Sequence, residues 1–295
     1  MARHIVIGVD GSAPATAAVE WAAADAQRRE LSMRILHVCE QWPYRVDTTR
    51  YCAGTLAAAA DRARALTRGV EVTTQLLSGN VVDTLIGESG SADSVVIGSR
   101  GLGGFAGMMV GSVSMGVAGH AAGPVVVVRE TSVVVHGRVV VGYDGSEHSE
   151  AAMRYAVEQA RAREVPLHVI YAWQAPVVST YAAAYGSFLE DAYEQETETA
   201  QERVARWRDG NPDVAITDET VVGHPVNFLI EAGGTADLVV VGSRGLGGFA
   251  SAVLGSVSHA VLHHLRCPVA VVRPGITARK DGQISTARNK GAGDG

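Results

Sequence analysis

The chain is 295 residues long, which suggests two domains of about 150 residues each. Hydrophobic residues make up 47% of the chain and charged residues 19%, a balance that is typical of globular proteins and excludes a largely disordered chain. The formal net charge of −6 argues against nucleic acid as a partner, because binding to a phosphate backbone needs a basic surface.

Short apolar runs alternate with helical patterns through the first half of the chain. We predict strands at residues 5–9, 33–38, 70–77, 94–98 and 125–129. We predict helices at residues 14–29, 55–68, 81–89 and 112–120. Uniformly apolar strands separated by helices are typical of a parallel sheet that is covered on both faces.

The second half of the chain repeats this order, with strands predicted at 139–143, 167–172, 215–222, 238–242 and 269–273. The first strand reads IVIGVDGS at 5–12 and VVVGYDGS at 139–146, an offset of 134 residues. A glycine-rich stretch at 98–114 recurs at 242–258 with 13 of 17 positions identical, an offset of 144 residues. We therefore predict two tandem doubly wound α/β domains, each a five-stranded parallel sheet with helices on both faces. Their bounds are 1–133 and 134–275, and a disordered tail is predicted at 276–295.

In each domain the fourth predicted strand runs into a glycine-rich loop and then a helix. The spacing is G-x2-G-x9-G-S, first at residues 98–112 and again at 242–256. Glycines let a backbone approach a ligand closely, and a serine at a helix start offers a hydroxyl and free N–H groups to an anion. Neither a Rossmann GxGxxG after the first strand nor a Walker A sequence is present. The loop favours a polyphosphate as its ligand.

An aspartate follows the first predicted strand of each domain, as Asp10 and Asp144. In a doubly wound sheet the first and fourth strands are neighbours at the switch point, where ligands bind. An aspartate at that point can accept hydrogen bonds from ribose hydroxyls, while the loop offers N–H groups to phosphates. The two features together predict a nucleotide that lies across the crevice in each domain.

These motifs, together with LHV at 36–38, resemble the universal stress protein family in its tandem two-domain form, over residues 3–129 and 138–273. The glycine spacing is similar to the family's ATP-binding signature. The resemblance implies a Rossmann-like fold of the HUP type, ATP with Mg²⁺ as the cofactor, and main-chain contacts to adenine from the end of the second strand. It implies nucleotide contacts at Asp10, Gly11, Ser12, Val38, Gly98, Gly101, Gly111, Ser112, Val113 and Ser114. In the second domain it implies them at Asp144, Gly145, Ser146, Ala172, Gly242, Gly245, Gly255, Ser256, Val257 and Ser258.

Each of these residues also has a structural interpretation. The glycines could serve tight turns and close helix–sheet packing, and Ser112 and Ser256 could be helix caps. Copy two reads IYAW at 170–173 where copy one reads LHVC at 36–39; main-chain contacts to adenine tolerate this departure, but it leaves the shape of the second adenine pocket open. Three histidines near residue 260 have helical metal-site spacing, but the first domain has only His120 there, and we expect no metal ligand from the protein.

The favoured function is an ATP-binding regulator of stress or growth-arrest physiology with one nucleotide site per domain. A slow ATP-hydrolysing or nucleotidyl-transferring enzyme is one alternative, and a dimeric scaffold that binds no nucleotide is the other. The two lysines, Lys280 and Lys290, lie in the predicted tail, so the folded domains offer no lysine to a transferring phosphoryl group. This absence favours the regulator over an enzyme.

The remaining expectations concern compartment and assembly. Three cysteines without CxxC or regular spacing argue against disulfides and indicate a reducing, cytoplasmic compartment. No secretion signal and no membrane span are expected; the uncharged stretch 101–128 is glycine-rich and corresponds to one that carries Arg266. The family resemblance implies that the last strands, 125–128 and 269–272, pair the two domains, and we expect a homodimer of two tandem chains as the larger species.

Overall fold

The computed structural model describes residues 3–39, 48–103, 109–131, 134–173, 186–246 and 253–274. The predicted disordered tail lies outside these ranges. The first repeat contains β1 His4–Gly8, α1 Ala13–Arg29, β2 Ser32–Cys39, α2 Thr48–Leu66, β3 Val72–Ser78, α3 Val81–Ser89, β4 Ser94–Gly98, α4 Ser112–His120 and β5 Val125–Val128. The second contains β6 Val139–Gly142, α5 Glu147–Arg163, β7 Leu167–Trp173, α6 Gly186–Gly210, β8 Ile216–Val222, α7 Pro225–Gly233, β9 Leu238–Gly242, α8 Ser256–His264 and β10 Val269–Val272.

The predicted elements of the described ranges are present, and most strand bounds agree within one or two residues. The largest difference is the start of α2, which lies at Thr48 and not at residue 55. Cys52, Leu56 and Ala60 explain the longer helix, because they recur every four residues and are all buried. The prediction missed this start because the same segment contains Gly54, a weak helix former.

The ten strands form one sheet with the order β3-β2-β1-β4-β5-β10-β9-β6-β7-β8. Within each repeat the strands are parallel, which confirms the predicted five-stranded doubly wound units. The two units join where β5 runs antiparallel to β10, with Val126 opposite Ala270. The predicted pairing of the two domains through their last strands is therefore confirmed.

Helices cover both faces of this sheet. Alternate residues of each strand face opposite ways, so Ile5 and Ile7 pack under α1 and α2 while Val6 packs under α3 and α4. Each apolar layer continues across both repeats, with α5 beside α1 on one face and α7 and α8 on the other. The described helices are each too short or too polar to cross a bilayer.

The seam between the repeats is also held by two arginines at equivalent positions. Arg129 follows β5 and donates to the carbonyls of Leu262 and His263 at 2.6 and 2.7 Å, at the end of α8. Arg273 follows β10 and donates to the carbonyl of Gly119 in α4. Cations favour helix C-termini, so each repeat supplies a positive charge to a helix end of the other.

Candidate functional site

A cleft of about 270 Å³ opens in the first domain at the carboxyl ends of β1 and β4. This is the switch point of the sheet, where the chain leaves the two neighbouring strands in opposite directions. One wall is apolar and the other is the glycine-rich loop with the start of α4. The apolar wall contains Val9, Leu36, Val38, Val81, Leu85 and Ile97, and the loop side contains Gly98, Arg100, Gly101, Gly103, Gly111, Ser112, Val113 and Ser114.

Asp10 joins the two sides of this cleft. Its Oδ1 accepts a hydrogen bond from the Ser12 amide at 3.0 Å, and its Oδ2 accepts one from the Leu102 amide at 2.9 Å. The carboxylate therefore fastens the glycine-rich loop to the turn after β1. A carboxylate has about four lone-pair positions, so acceptor capacity remains for a ligand hydroxyl.

The second domain repeats this arrangement. Asp144 Oδ1 accepts from the Ser146 amide and its Oδ2 from the Leu246 amide, each at 3.0 Å. The following glycines, Gly11 and Gly145, have φ of +87° and +75°, a conformation that favours glycine. Two sequences that differ elsewhere thus build the same aspartate-to-loop contact.

Close approach, and not a left-handed backbone, requires glycine at positions 98, 101 and 245. A Cβ at Gly98 would lie 2.7 Å from the Ala15 amide nitrogen, so this glycine lets α1 pack directly on β4. A Cβ at Gly101 would lie 2.5 Å from Asp10 Oδ2, and one at Gly245 would lie at the same distance from Asp144 Oδ2. These glycines therefore have the close-packing role that the sequence analysis considered as an alternative to ligand binding.

The two serines after the loops are not helix caps. The N-cap residue of α4 is Gly111 and that of α8 is Gly255, and neither helix start has a capping side chain. Ser112 and Ser256 are instead the first helical residues and are exposed. The cap interpretation was wrong because the extended backbone needed at an N-cap lies one residue earlier, at glycine.

The serines that do cap helices are Ser12 and Ser146. Ser12 Oγ accepts from the Ala15 amide at 3.3 Å and Ser146 Oγ from the Ser149 amide at 3.2 Å. The N–H groups that begin α1 and α5 are thus partly satisfied, whereas those that begin α4 and α8 face the loop without a side-chain acceptor. Any anion in the cleft would meet the uncapped helix starts.

The other residues expected at the phosphate end have structural roles. The buried Ser114 hydroxyl donates to the Gly98 carbonyl at 2.8 Å, and the Ser258 hydroxyl donates to that of Ser243 at 3.0 Å. Val113 and Val257 pack against the apolar layer of α3, α4, α7 and α8. Their backbone amides, but not their side chains, remain candidates for ligand contact.

The second strand ends differently in the two domains. Val38 lines the first cleft, and its counterpart Ala172 is followed by Trp173, whose ring centroid lies 6.2 Å from that of Tyr193. The Tyr171 hydroxyl donates to Glu196 at 3.0 Å, and burial together with this carboxylate raises the pKa of Tyr171 to about 12. The end of β7 therefore presents different side chains from the end of β2, as the IYAW sequence indicates.

A histidine lies beside the glycine-rich loop of the second domain and has no counterpart in the first. His148 occupies the position that Pro14 has in α1, and its Nδ1 lies 2.9 Å from the Ser243 hydroxyl. Burial lowers the pKa of His148, and the nearby charges of Arg244 and Arg273 lower it further. No sequence motif singled out this residue.

The cysteines overturn one expectation. Cys39, at the end of β2, and Cys52, in α2, form a disulfide with their Cα atoms 6.3 Å apart. Their separation of 13 residues matches no motif, and only the packing of α2 against β2 brings them together. The prediction of a cytoplasmic location rested partly on the absence of disulfides, so this disulfide removes that support. Burial raises the pKa of the third cysteine, Cys267, to about 12.

The histidines near residue 260 do not form a three-residue metal group in the described part of the chain. The rings of His259 and His263 stack with centroids 4.6 Å apart. Burial lowers the pKa of His263, as do the charges of His259 and Arg129. Within the described ranges, three residues of metal-ligating type come together only at His37, Cys39 and Cys52.

Fold and site together define a class: a tandem Rossmann-like α/β protein in which an aspartate holds the glycine loop at the switch point of each repeat. The sequence profile described as the Universal stress protein family matches residues 1–129 and 136–273. The chain therefore belongs to the universal stress protein family.

Individual relatives agree with this assignment over nearly the whole chain. Universal stress protein Rv2005c of Mycobacterium tuberculosis is 35% identical over 288 residues, which cover 91% of this chain and 96% of the relative. Universal stress protein Rv1996 of the same organism is 37% identical over 302 residues, covering 91% and 94%. A crystal structure of a universal stress protein from Archaeoglobus fulgidus is 22% identical, with a TM-score of 0.71 over 92% of this chain and 97% of that chain. This last likeness supports the fold.

Proposed function

We propose that the protein is an ATP-binding regulator with one nucleotide site per domain. The observation that carries the proposal is the uncapped start of α4 at the glycine loop, repeated at α8. Free N–H groups and the positive end of the helix dipole favour phosphate there. The other helices whose N-cap residue is described, α1, α3, α5 and α7, each have a capping side chain, which sets the starts of α4 and α8 apart from them.

The rest of the first cleft suits the nucleoside. Val38, Leu36 and Leu85 offer an apolar surface to adenine, and the main chain at the end of β2 offers polar groups to its edge. The remaining lone pairs of Asp10 accept from the ribose hydroxyls. The triphosphate then runs towards Gly101 and the start of α4, with Mg²⁺ carried by the phosphates and not by a protein ligand.

We favour a regulator over an enzyme because the cleft offers little acid–base chemistry. The ionisable side chains that line it, among described residues, are Asp10 and Arg100. Both Asp10 oxygens already accept main-chain hydrogen bonds, so this carboxylate is poorly placed as a general base. Arg100 is exposed and can pair with phosphate in a bound state. Nucleotide binding would then act by stabilising one conformation or assembly, such as a homodimer of two tandem chains.

The direct test is to identify the ligand that the protein carries. Freshly purified protein is denatured, and the released small molecules are measured by mass spectrometry. ATP in the released fraction supports the regulator, and ADP formed from added ATP over time would favour the slow enzyme. Protein that releases no nucleotide and takes up none on incubation with Mg²⁺ and ATP would instead be a scaffold.

A further inference from the structure

A second candidate site lies at the end of β2, beside the nucleotide cleft. One ring nitrogen of His37 and the Sγ atoms of Cys39 and Cys52 all lie within 4.8 Å of one another. We propose that the reduced protein binds one thiophilic divalent cation of the zinc type through these three residues, which we call the thiol–imidazole cluster.

The hydrogen bond that His37 makes suits a metal ligand. Its Nδ1 lies 2.7 Å from the Val9 carbonyl oxygen. A carbonyl only accepts, so Nδ1 carries the hydrogen and Nε2 carries the lone pair. Metal-bound histidines are commonly held in this way, with the second ring nitrogen donating to a carbonyl or carboxylate, which fixes the tautomer and the ring.

The donor set and its burial select the class of ion. Two thiolates and an imidazole are ligands that Zn²⁺ prefers, whereas Mg²⁺ and Ca²⁺ prefer oxygen. His37 is 6% exposed and Cys52 is 3% exposed, while Cys39 is partly open to solvent. Three protein ligands leave one tetrahedral position for a solvent molecule, and the open side at Cys39 gives the ion a path of entry.

The fold itself does not require this cluster. The offset that relates β2 to β7 places Tyr171 and Trp173 at the positions of His37 and Cys39. The offset that relates β3 to β8 places Glu196 at the position of Cys52. In the second domain a Tyr171–Glu196 hydrogen bond of 3.0 Å joins the strand to the helix. The first domain performs the same structural task with residues that can also bind a soft cation.

The disulfide and the metal site use the same two sulfur atoms, so they exclude each other. Reduction of the disulfide by a dithiol transfers two electrons and leaves two thiols. Binding of Zn²⁺ then releases one proton from each thiol, and the metal stays divalent. A low-molecular-weight disulfide reverses this: it takes two electrons from the thiolates, which form the S–S bond, and it leaves as two small thiols with two protons from solvent, releasing Zn²⁺.

The test uses Co²⁺ as a visible probe for Zn²⁺ on the reduced full-length chain. We expect thiolate-to-cobalt charge-transfer absorption that saturates at one Co²⁺ per chain and disappears when Zn²⁺ is added. Cys39→Ser and Cys52→Ser should abolish this absorption. His37→Asn keeps a nitrogen near the Val9 carbonyl but removes Nε2, and it should weaken binding at least about tenfold. Cys267→Ser is the matched control and should bind as the wild type does.

The oxidised wild type gives an independent comparison that needs no variant. It should show no charge-transfer band, and the band should appear after reduction. Reduced protein with three titratable thiols and no band would overturn the proposal. Equal binding by oxidised and reduced chains would overturn it too, as would loss of the band in Cys267→Ser alone.

Discussion

Gln159 Nε2 donates a hydrogen bond of 3.2 Å to Asp25 Oδ2 across the two domains, and both side chains are 0% exposed. The two residues occupy the same position in the two repeats, because α1 and α5 are related by the 134-residue offset. Identical repeats would bring two carboxylates or two amides face to face. An acceptor in one copy and a donor in the other favours pairing of the first domain with the second.

Asp25 also holds buried arginines, which predicts a large effect of its removal. It lies 3.2 Å from Arg29 and 3.4 Å from Arg163, and both guanidinium groups are 8% exposed. Asp25→Asn should lower the free energy of unfolding by about 3–5 kcal/mol, because Arg163 loses its counter-charge and Arg29 is left with Asp93 as its nearest carboxylate. Denaturant unfolding measures this change.

Asp61→Asn is the matched control for this substitution. Asp61 lies 3.5 Å from Arg64, and its side chain is 79% exposed. Its removal should change the free energy of unfolding by less than about 0.5 kcal/mol. Equal effects of the two substitutions would mean that the buried network contributes no more than a surface pair.

The β5–β10 seam should be sensitive to charge. Val127 is 3% exposed and lies opposite Val269 in the antiparallel ladder. Val127→Lys should lower the free energy of unfolding by more than about 3 kcal/mol, since an unpaired ammonium would be buried between the domains. Val135→Lys, at a side chain that is 82% exposed, is the control and should leave stability unchanged. An unchanged midpoint for Val127→Lys, with unchanged resistance to proteolysis, would contradict the seam.

The glycine loop gives a matched pair for nucleotide affinity. A Cβ at Gly101 would meet Asp10, whereas one at Gly103 would meet no atom within 4 Å. Gly101→Ala should therefore displace the loop from Asp10 and weaken ATP binding to the first domain at least about tenfold, with a small loss of stability because the loop is exposed. Gly103→Ala leaves the Asp10 contact intact and should therefore lose much less affinity than Gly101→Ala. Equal losses in both variants, measured by calorimetry, would mean that general loop stiffness and not the Asp10 contact matters.

Stability should fall on mild acidification through His148. Its pKa in the folded protein is lowered, chiefly by burial and then by Arg244 and Arg273, so the neutral ring is favoured. This contribution is fully present above the unfolded pKa of about 6.5 and is lost as the pH falls below it. Between about pH 7.5 and pH 5.5, His148→Asn should lose less unfolding free energy than the wild type. The exposed His136→Asn serves as the control, and an identical pH dependence in all three proteins would contradict the role of His148.

The sheet was predicted well from the sequence because its central strands, such as β4, β5, β9 and β10, are continuous apolar runs that can be recognised without knowing their partners. Val125–Val128 is buried along its whole length, and such a strand needs cover on both faces and a partner at its edge. The internal repeat then allowed the strands of the second domain to be predicted from those of the first. The start of α2 was missed because burial of Cys52 against β2 overrides the weak helix propensity of its first turns.

Several residues predicted for the first site line one cleft, but their hydrogen-bond partners were not predicted. Asp10 was expected to face a ligand, and the structure adds a main-chain contact to Leu102, which is 92 residues away. The disulfide was missed for the same reason, since Cys39 and Cys52 meet only through tertiary packing. Local patterns indicate which residue types meet at a switch point, but the partners of each polar atom depend on the loop conformation.

Calorimetric titration of ATP with Mg²⁺ into the wild-type chain tests the two-site proposal most directly. Both domains keep the aspartate, the loop and the uncapped helix start, so the stoichiometry should approach two ATP per chain. Gly101→Ala should leave only the second-domain site functional, and Gly245→Ala should leave only the first-domain site functional. A stoichiometry of one in the wild type would show that only one cleft binds nucleotide, and absence of binding would contradict the proposal altogether.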